Sequence, residues 1–172
     1  MPPRGGPGGG RVEHGPLWFE DVFRRHATAV HRYFARRAHP GEVDDLTAEV
    51  FATAWRRRDD VPDGLELAWL YRTAGYLLAN HRRKARPVLV ETMPVEVDHA
   101  DPQHLVVVDD SVREVLGRLS ARDRQVLVLH AWEGLSGAEL GAVLGISKGG
   151  AEAALSRARA RLRELWAERE AG

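Results

Sequence analysis

Apolar residues recur every three or four positions through most of the chain, which is the spacing of one face of an α-helix. Pro40 and Gly41 end the first such stretch, Pro62 and Gly64 the second, and Pro87 the third. Strand-like runs of Val and Leu occur only at 88–90 and 106–108, so the pattern predicts an all-α fold. Three helices are marked by residues with this spacing. They are Val22, Phe23, His26, Val30, Tyr33 and Phe34 in the first, Leu46, Val50 and Ala54 with Phe51 and Trp55 alongside in the second, and Leu67, Leu70, Tyr71, Ala74, Leu77 and Leu78 in the third.

Four shorter helices are predicted in the second half, each beginning at a serine able to cap its N-terminus. These serines and the acids that follow them are Ser111 with Glu114, Ser120 with Asp123, Ser136 with Glu139 in a capping box, and Ser147 alone. Gly134 and Gly145 are expected to end the second and third of these helices. The last helix carries an apolar stripe of Ala151, Leu155, Ala158, Leu162 and Leu165. A short helix, a tight turn with Gly and a longer helix predict a helix-turn-helix.

These patterns divide the chain into four segments. Residues 1–16 contain six Gly and four Pro, a composition that cannot form a core, so we expect a disordered tail there. Residues 17–86 are predicted to form one small helical domain and residues 112–168 a second. Residues 87–111 join them as a linker that contains six acids and no Lys or Arg.

The even charge balance hides this division. The chain has 25 Lys+Arg and 25 Asp+Glu, yet residues 17–86 hold 13 cations against 10 anions and residues 112–172 hold ten against eight. Both helical segments are therefore basic, and the linker neutralises them. The chain has no cysteine, which excludes disulfides and thiolate metal sites, and no apolar run approaches the ~20 residues of a membrane helix. We expect a cytoplasmic protein with no membrane insertion.

The sequence contains no recognisable catalytic site. It has no nucleophile elbow, no phosphate-binding loop and no zinc-protease motif, so no enzyme activity and no cofactor are predicted. Asp45 and Glu49 are one helical turn apart and could hold a metal, but no third ligand shares their spacing. Asp44 and Asp45 suit the first turn of a helix, where acids interact favourably with the helix dipole. No metal site is predicted.

The third helix of the first domain has a face typical of nucleic-acid binding. Aromatic residues could stack on bases and the cations could contact phosphates of a single strand. The alternative is an ordinary bundle helix with a basic C-terminus, and the spacing alone leaves both open. The face consists of Trp69, Arg72, Tyr76, Asn80 and Arg83, and the basic end adds Arg82 and Lys84.

The helix-turn-helix offers a second nucleic-acid-binding surface. In such motifs the start of the second helix enters the major groove, where side chains contact base edges. The alternative is a helical hairpin whose polar face is only solvated. The residues predicted to face DNA are Ser147, Lys148, Gly149, Glu152, Ala153, Ser156 and Arg157.

Three segments resemble the sigma factors of bacterial RNA polymerase. Residues 44–56 read DDLTAEVFATAWR and resemble the helix that binds the core polymerase. Residues 68–74, AWLYRTA, with the basic end that follows, resemble the segment that melts and reads the promoter −10 element. Residues 119–127, LSARDRQVL, together with the helix-turn-helix, are similar to the module that reads the −35 element. The short linker, with no intermediate domain, points to the extracytoplasmic-function (group IV) subfamily.

The resemblance implies a role in transcription initiation, with core RNA polymerase and promoter DNA as partners. The loop at 61–66, with Pro62, Asp63 and Gly64, would cradle a flipped −10 base, and the third helix would hold that strand. The helix-turn-helix would read the −35 element and touch the β flap. The acidic linker would thread towards the active-site cleft, and an anti-sigma factor is a candidate partner. The residues implied to dock on the β′ clamp helices are Asp45, Glu49, Phe51, Trp55 and Arg56.

The recognition helix departs from the usual pattern. Relatives typically read Gly-Thr-Val-Lys-Ser-Arg-Leu where this chain reads GGAEAAL at 149–155, so Glu152 and Ala154 replace two cations. We therefore expect weak or unusual −35 recognition. Two alternatives to a polymerase subunit stay open: a helix-turn-helix regulator of the two-component type, which would need a receiver domain of alternating strands and helices, and a helical adaptor that has lost DNA binding.

Overall fold

The computed structural model describes residues 13–85, 97–106 and 109–172. Within these ranges the fold is all-α with no strand, which confirms the predicted class. The predicted helix end at Pro87 and the strand-like residues 88–90 lie outside the described residues. The seven α-helices of the described part are α1 (Pro16–Ala35), α2 (Val43–Arg56), α3 (Glu66–Ala85), α4 (Asp110–Arg118), α5 (Ala121–Glu133), α6 (Gly137–Leu144) and α7 (Lys148–Ala171).

Helices α1, α2 and α3 pack against one another as a three-helix unit. Its interior contains Tyr33, Phe34 and Tyr71, each no more than 1% exposed. A single-turn 3-10 helix at Pro40–Glu42 leads into α2, and a second at Arg58–Asp60 follows it. Most of the residues that follow the helical spacing are buried, but Phe23 and Trp55 are exposed, Trp55 at 36%. Phe23 is 47% exposed and lies on the outer side of α1.

Helices α4 to α7 form the second unit, with α7 contacting the three others. The predicted glycine stops are confirmed: Gly134 and Gly145 both adopt left-handed conformations at the ends of α5 and α6. Ser120 and Ser147 accept hydrogen bonds from the amides of Asp123 and Gly150. Within α6, a Cβ on Gly141 would lie 2.7 Å from the backbone oxygen of Ile146, so this glycine lets the turn approach the helix closely.

Two predicted helix starts differ in the structure. Helix α4 is capped by Asp109, whose carboxylate accepts from the amide of Ser111 at 2.8 Å, so Ser111 lies inside the helix rather than at its cap. Ser136 does occupy the N-cap of α6, but its hydroxyl accepts no capping hydrogen bond, so the predicted capping box is wrong. Gly137 follows it with a φ of +53°, outside the range of a right-handed helix, and this displaces the amides that the hydroxyl would have reached.

The folded part begins earlier than the sequence predicts. Helix α1 starts at Pro16, and His14 is only 8% exposed, so the chain packs on the first unit from His14 onwards rather than from residue 17. Residues 1–12 lie outside the described part. The physical reason is a set of contacts to His14 from the segment after α2, which local composition does not reveal.

Residues 97–106 of the linker also pack onto the helices. His99 is 4% exposed, and its Nδ1 is hydrogen-bonded to the Tyr33 hydroxyl at 2.6 Å. The segment crosses α3 at Gly75, where a Cβ would lie 2.5 Å from His99 and Val97 atoms. The amide of Val106 donates to the Arg36 carbonyl at 2.8 Å. In this conformation, this half of the linker is therefore part of the fold rather than a free tether.

The two units share one continuous hydrophobic core, and α3 contacts α6. A buried ion pair joins them at the end of α1. Arg37 Nη1 lies 2.7 Å from a carboxylate oxygen of Glu133, and both side chains are only 1% exposed. Arg36 contacts the other oxygen at 3.2 Å. Among the described residues, no helix is long and apolar enough to cross a bilayer.

Candidate nucleic-acid interface

The outer face of α3 places the predicted single-strand residues together. Arg72, Tyr76, Asn80 and Arg83 are exposed and Trp69 is half-buried, while Leu70 and other residues on the opposite side enter the core. Tyr76 is 49% exposed, so its ring is available for stacking. Arg83 donates a hydrogen bond to the Asn80 side-chain oxygen, which keeps these two groups on one line. The helix thus presents an aromatic and cationic surface along its length.

The cationic side chains at the end of α3 point in two different directions. Lys84 is exposed beside Asn80 and Arg83 and extends the face. Arg82, predicted to bind the same strand, is half-buried and donates to the carbonyl of Arg37 at 2.9 Å. Its guanidinium therefore binds the end of α1 in this structure instead of facing the predicted strand-binding surface. Arg82 and Arg83 differ in this way because successive residues of a helix point to different sides.

The loop between α2 and α3 is exposed at its tip and anchored at both sides. Val61 is buried, while Pro62, Asp63 and Gly64 are exposed. Gly64 has a φ of +80°, a conformation that residues with a Cβ rarely adopt, and its amide donates to the Glu66 carboxylate at 3.1 Å. The tip of the turn therefore presents Pro62, Asp63 and the backbone of Gly64 to solvent.

The loop has one anchor that sequence reasoning missed. His14 Nε2 lies 2.7 Å from an Asp63 oxygen, and its Nδ1 lies 2.5 Å from the Arg58 carbonyl oxygen. The imidazole ring stacks on Trp18, with centroids 4.2 Å apart. The only local signal was a histidine four residues before a tryptophan in a segment dominated by Gly and Pro.

The predicted polymerase-docking residues share the outer side of α2, with one correction. Asp45, Glu49 and Arg56 are exposed and Trp55 is 36% exposed, but Phe51 is buried at 3%. Phe51 cannot touch a partner directly, because Phe23 covers it in an edge-to-face contact with centroids 4.9 Å apart.

An exposed aromatic cluster therefore lies beside these charges. Phe23 presents its ring to solvent, and Phe19 connects it to Trp55 at a centroid distance of 5.4 Å. Leu17, 82% exposed, lies on the same helix. The helical period had assigned Phe23 to the core, so sequence reasoning missed it as a surface residue.

The second surface lies at the start of α7. Lys148, Gly149, Glu152, Ala153, Ser156 and Arg157 are exposed, and Ser147 caps the helix. Lys148 Nζ lies 4.0 Å from Glu152, so the first cation of this face has an anion beside it. Ala154 is 8% exposed and packs inwards. It therefore does not contribute to the exposed surface in this conformation.

Buried titratable groups occur where the linker meets the first unit. Burial, with the nearby charges of Arg37 and Arg72, lowers the pKa of His99 to about 3, so this imidazole is neutral at ordinary pH. Burial also raises the pKa of Tyr33 to about 12. The pair is therefore a neutral hydrogen bond. In the described ranges, no three His, Asp or Glu side chains are grouped closely enough to hold a metal.

Comparison with known proteins matches each of the two helical units to a family model. Residues 22–88 match the family model for Sigma-70 region 2, and residues 109–162 match that for Sigma-70, region 4. RNA polymerase sigma factor CarQ of Myxococcus xanthus is 32% identical over 161 residues, with 88% of this chain and 91% of that protein aligned. The chain belongs to the sigma-70 family of RNA polymerase sigma factors.

Further comparisons place this sigma factor in the extracytoplasmic-function group. SigE of Mycolicibacterium smegmatis, a factor of that group, is 29% identical over 162 residues; the alignment covers 89% of this chain but only 63% of that longer protein. The solved structure of CnrH in complex with the cytosolic domain of CnrY matches with a TM-score of 0.57 at 28% identity, covering 90% of both chains. The organism of CnrH is Cupriavidus metallidurans.

In this sigma factor, region 4 lies against the single-strand face of region 2. Arg72 Nη1 is 3.5 Å from the carbonyl oxygen of Ala142 in α6, and a cleft between the regions is lined by Arg72, Tyr76, His99 and Val143. The −35 face of α7 remains exposed at the same time. The two surfaces predicted to bind DNA are thus differently accessible in this conformation: α6 contacts the α3 surface at Arg72, whereas the α7 surface is exposed.

Proposed function

We propose that this sigma factor binds core RNA polymerase through α2, melts and holds the −10 element with α3 and the loop at 61–66, and contacts the −35 element with α7. We include in the proposal that it works in the cytoplasm and catalyses no reaction itself. The observation that carries the proposal is the face of α3. It aligns an exposed tyrosine, two arginines and an asparagine on a rigid helix beside a loop with an exposed turn.

The docking surface is supported by the charge and exposure of α2. Asp45, Glu49 and Arg56 are exposed on α2, Trp55 is 36% exposed on the same helix, and Phe23 of α1 extends the apolar part. An apolar centre within a polar rim is the usual composition of a protein interface. We assign the clamp helices of the β′ subunit to this surface and the β flap to region 4.

The −35 contact is proposed to be weak. Glu152 lies near Lys148 and reduces its charge towards phosphate, which leaves Arg157 as the main cation of the exposed face. Promoter selection would then depend chiefly on the −10 element and on polymerase contacts. Footprinting at rising salt concentration tests this, and strong salt-resistant −35 protection that survives Arg157→Ala would contradict it.

A partner that controls access to the polymerase is included in the proposal. The solved structure of CnrH holds that sigma factor with the cytosolic domain of CnrY. We propose that an anti-sigma protein binds this chain also. Such a partner would be identified by its ability to stop promoter-dependent transcription. Affinity purification of the tagged chain from its own cells, followed by adding the recovered protein to the transcription assay, tests the idea.

Run-off transcription tests the main proposal. Purified chain is added to core RNA polymerase with fragments of the source genome, and transcripts that require the chain are mapped. A Trp55→Ala variant should lose co-elution with core polymerase, whereas Arg163→Ala, an exposed change on α7 outside the proposed contacts, should retain it. No chain-dependent transcript and no co-elution would instead support the helical adaptor.

A further inference from the structure

His14 is the most unusual side chain outside the surfaces already assigned. It precedes α1, yet it is 8% exposed and connects α1 with the segment after α2. Of its two ring nitrogens, one faces the Arg58 carbonyl oxygen at 2.5 Å and the other an Asp63 oxygen at 2.7 Å. Both partners are acceptors, so both nitrogens must carry a proton to make these bonds.

The surroundings suit an imidazolium. The Asp63 carboxylate is in direct contact, and the Asp59 carboxylate adds a second negative charge. The Trp18 ring lies nearly parallel to the imidazole, 13° from coplanar, where an aromatic face favours a cation. Arg58 contributes only its carbonyl, because its guanidinium turns away to the Trp55 ring and the Trp55 carbonyl. Two carboxylates and one aromatic face thus surround the ring.

These contacts fix both sides of the exposed turn. Arg58 lies in the 3-10 helix before the turn, and its carbonyl also accepts from the Val61 amide at 3.2 Å. Asp63 lies at the tip, next to Gly64 with its positive φ. Few other bonds hold the tip: the Gly64 amide donates to Glu66, and the Leu65 amide donates to Pro62. Without His14, the Asp63 carboxylate would lose its contact with α1.

We propose that His14 is a positioning residue for −10 recognition, which fixes the turn at 61–65 in the shape that receives the base. This inference rests on the proposed function, because the turn matters for selectivity only if it contacts the −10 element. His14 itself touches no DNA. It sets the position of Asp63 and of the backbone beside Gly64.

Protonation gives the proposal a pH signature. The hydrogen bond to the Arg58 carbonyl, followed by the bond and charge of Asp63, raises the pKa of His14, although burial opposes the rise. The restraint is therefore complete below about pH 6.5 and is lost as the pH rises through the higher pKa of the folded state. The turn should loosen in alkaline solution only when His14 is present.

Hydrogen exchange of the free full chain tests the positioning step. His14→Ala should speed exchange at the Val61 and Gly64 amides by about tenfold, the effect of losing one hydrogen bond to a charged group. Exchange in the middle of α2 and α3 should not change. As the pH rises through the raised pKa of His14, exchange at the wild-type turn, corrected for intrinsic rates, should approach that of the variant, whose corrected rates should not vary with pH.

Two further variants make the result decisive. His31→Ala is the matched control, since His31 also pairs with an aspartate, Asp44, at 3.1 Å, but at the surface. It should leave the turn unchanged. His14→Gln keeps a side chain of similar length and one donor group. It replaces His14→Ala in the hydrogen-exchange test if His14→Ala does not fold. Equal acceleration throughout region 2, or none at the turn, would overturn the inference.

Selectivity is then measured on a promoter found by run-off transcription. A pool of that promoter with its −10 element randomised is transcribed by holoenzyme, and the transcripts are sequenced. His14→Ala should reduce the wild-type base preference at one −10 position by about tenfold, with core binding unchanged. A uniform loss across all −10 sequences would overturn the positioning role. Absence of wild-type transcripts would refute the proposed function, while hydrogen exchange would still test the restraint.

Discussion

At the scale of single residues, His99 shows how burial determines protonation. Its neutral ring shares a hydrogen bond with the Tyr33 hydroxyl, and the charges of Arg37 and Arg72 oppose a second proton on the ring. In the unfolded chain the same imidazole titrates near its ordinary pKa of about 6.5. In mildly acidic solution, His99 is therefore protonated in the unfolded chain but neutral in the folded chain.

This difference predicts an acid-sensitive stability. The contribution of His99 is present above about pH 6.5 and is lost progressively down to its folded pKa of about 3. At pH 5 the free energy of unfolding should be lower by roughly 2 kcal/mol than at pH 7.5 because of this group. Urea unfolding at several pH values measures it, and His99→Gln should flatten the curve over the same range. An equally steep curve for the variant would contradict the assignment.

Tyr76 carries a second prediction at this scale. Its half-exposed ring lies between Arg72 and Asn80 on α3 and has no buried role. Tyr76→Ala should weaken binding of the non-template −10 strand by about 1–3 kcal/mol, the usual contribution of one stacked base. Fluorescence anisotropy of holoenzyme with a labelled single strand measures this. Tyr76→Phe is the matched control and should bind almost as wild type, since the ring face is retained.

Single residues also mark the limit of sequence reasoning. The α3 face could be predicted because helical spacing determines which side chains share a side. Phe51, which the resemblance implied to dock on the polymerase, is buried and Phe23 is exposed, because α1 packs on α2 so that the Phe23 ring covers Phe51. His14 could not be predicted, because its partners lie more than 40 residues away along the chain.

At the scale of elements, the helix-turn-helix depends on a close approach between α6 and the turn that follows. Gly141 is the position where this approach occurs, with the Ile146 oxygen 2.7 Å from a would-be Cβ. The carbonyl belongs to the backbone, so it cannot rotate away as a side chain could. The start of α7, which carries the −35 face, would have to move instead.

Gly141→Ala should therefore destabilise the chain by about 1–3 kcal/mol, the usual cost of overpacking. Gly117→Ala in α4 is the matched control: a Cβ there meets nothing within 4 Å, so it should stabilise by about 0.5–1 kcal/mol. Urea unfolding of both variants measures the difference. A neutral or stabilising Gly141→Ala would show that the turn can relax without cost.

The elements were predictable to different degrees. Ser120, Ser147 and the two stop glycines act locally, and the structure confirms them. The failure of the capping box at Ser136 came from the backbone of Gly137, whose conformation no side-chain pattern indicates. The packing of residues 97–106 was not predicted, because their contacts come from distant helices rather than from their own composition.

At the scale of the whole molecule, regions 2 and 4 are joined by a charge pair buried in their interface. Arg37 retains carbonyl partners in Tyr33 and His99, but Glu133 is its only anion among the described ion pairs. Removing the carboxylate would leave a buried cation without its counter-charge. The packing of region 4 against region 2 should therefore depend strongly on the Glu133 side chain.

Glu133→Ala should lower the free energy of unfolding by about 3–5 kcal/mol and should increase the radius of gyration as the regions separate. Glu168→Ala is the control, since its pair with Arg118 at 2.6 Å is about half exposed, and it should cost less than about 1 kcal/mol. Urea unfolding and small-angle X-ray scattering provide the two measurements. An unchanged radius for Glu133→Ala would show that apolar packing alone holds the regions together.

The packing of linker residues 97–106 on the helices limits how far apart regions 2 and 4 can lie. The −10 and −35 elements are centred roughly 25 base pairs apart, which is about 85 Å of duplex at 3.4 Å per pair. A compact chain of this size is only about 40 Å across. The 24 residues between Ala85 and Asp110 extend to about 80 Å at most. If the chain contacts both elements as proposed, residues 97–106 must detach from α3, which breaks the hydrogen bond between Tyr33 and His99.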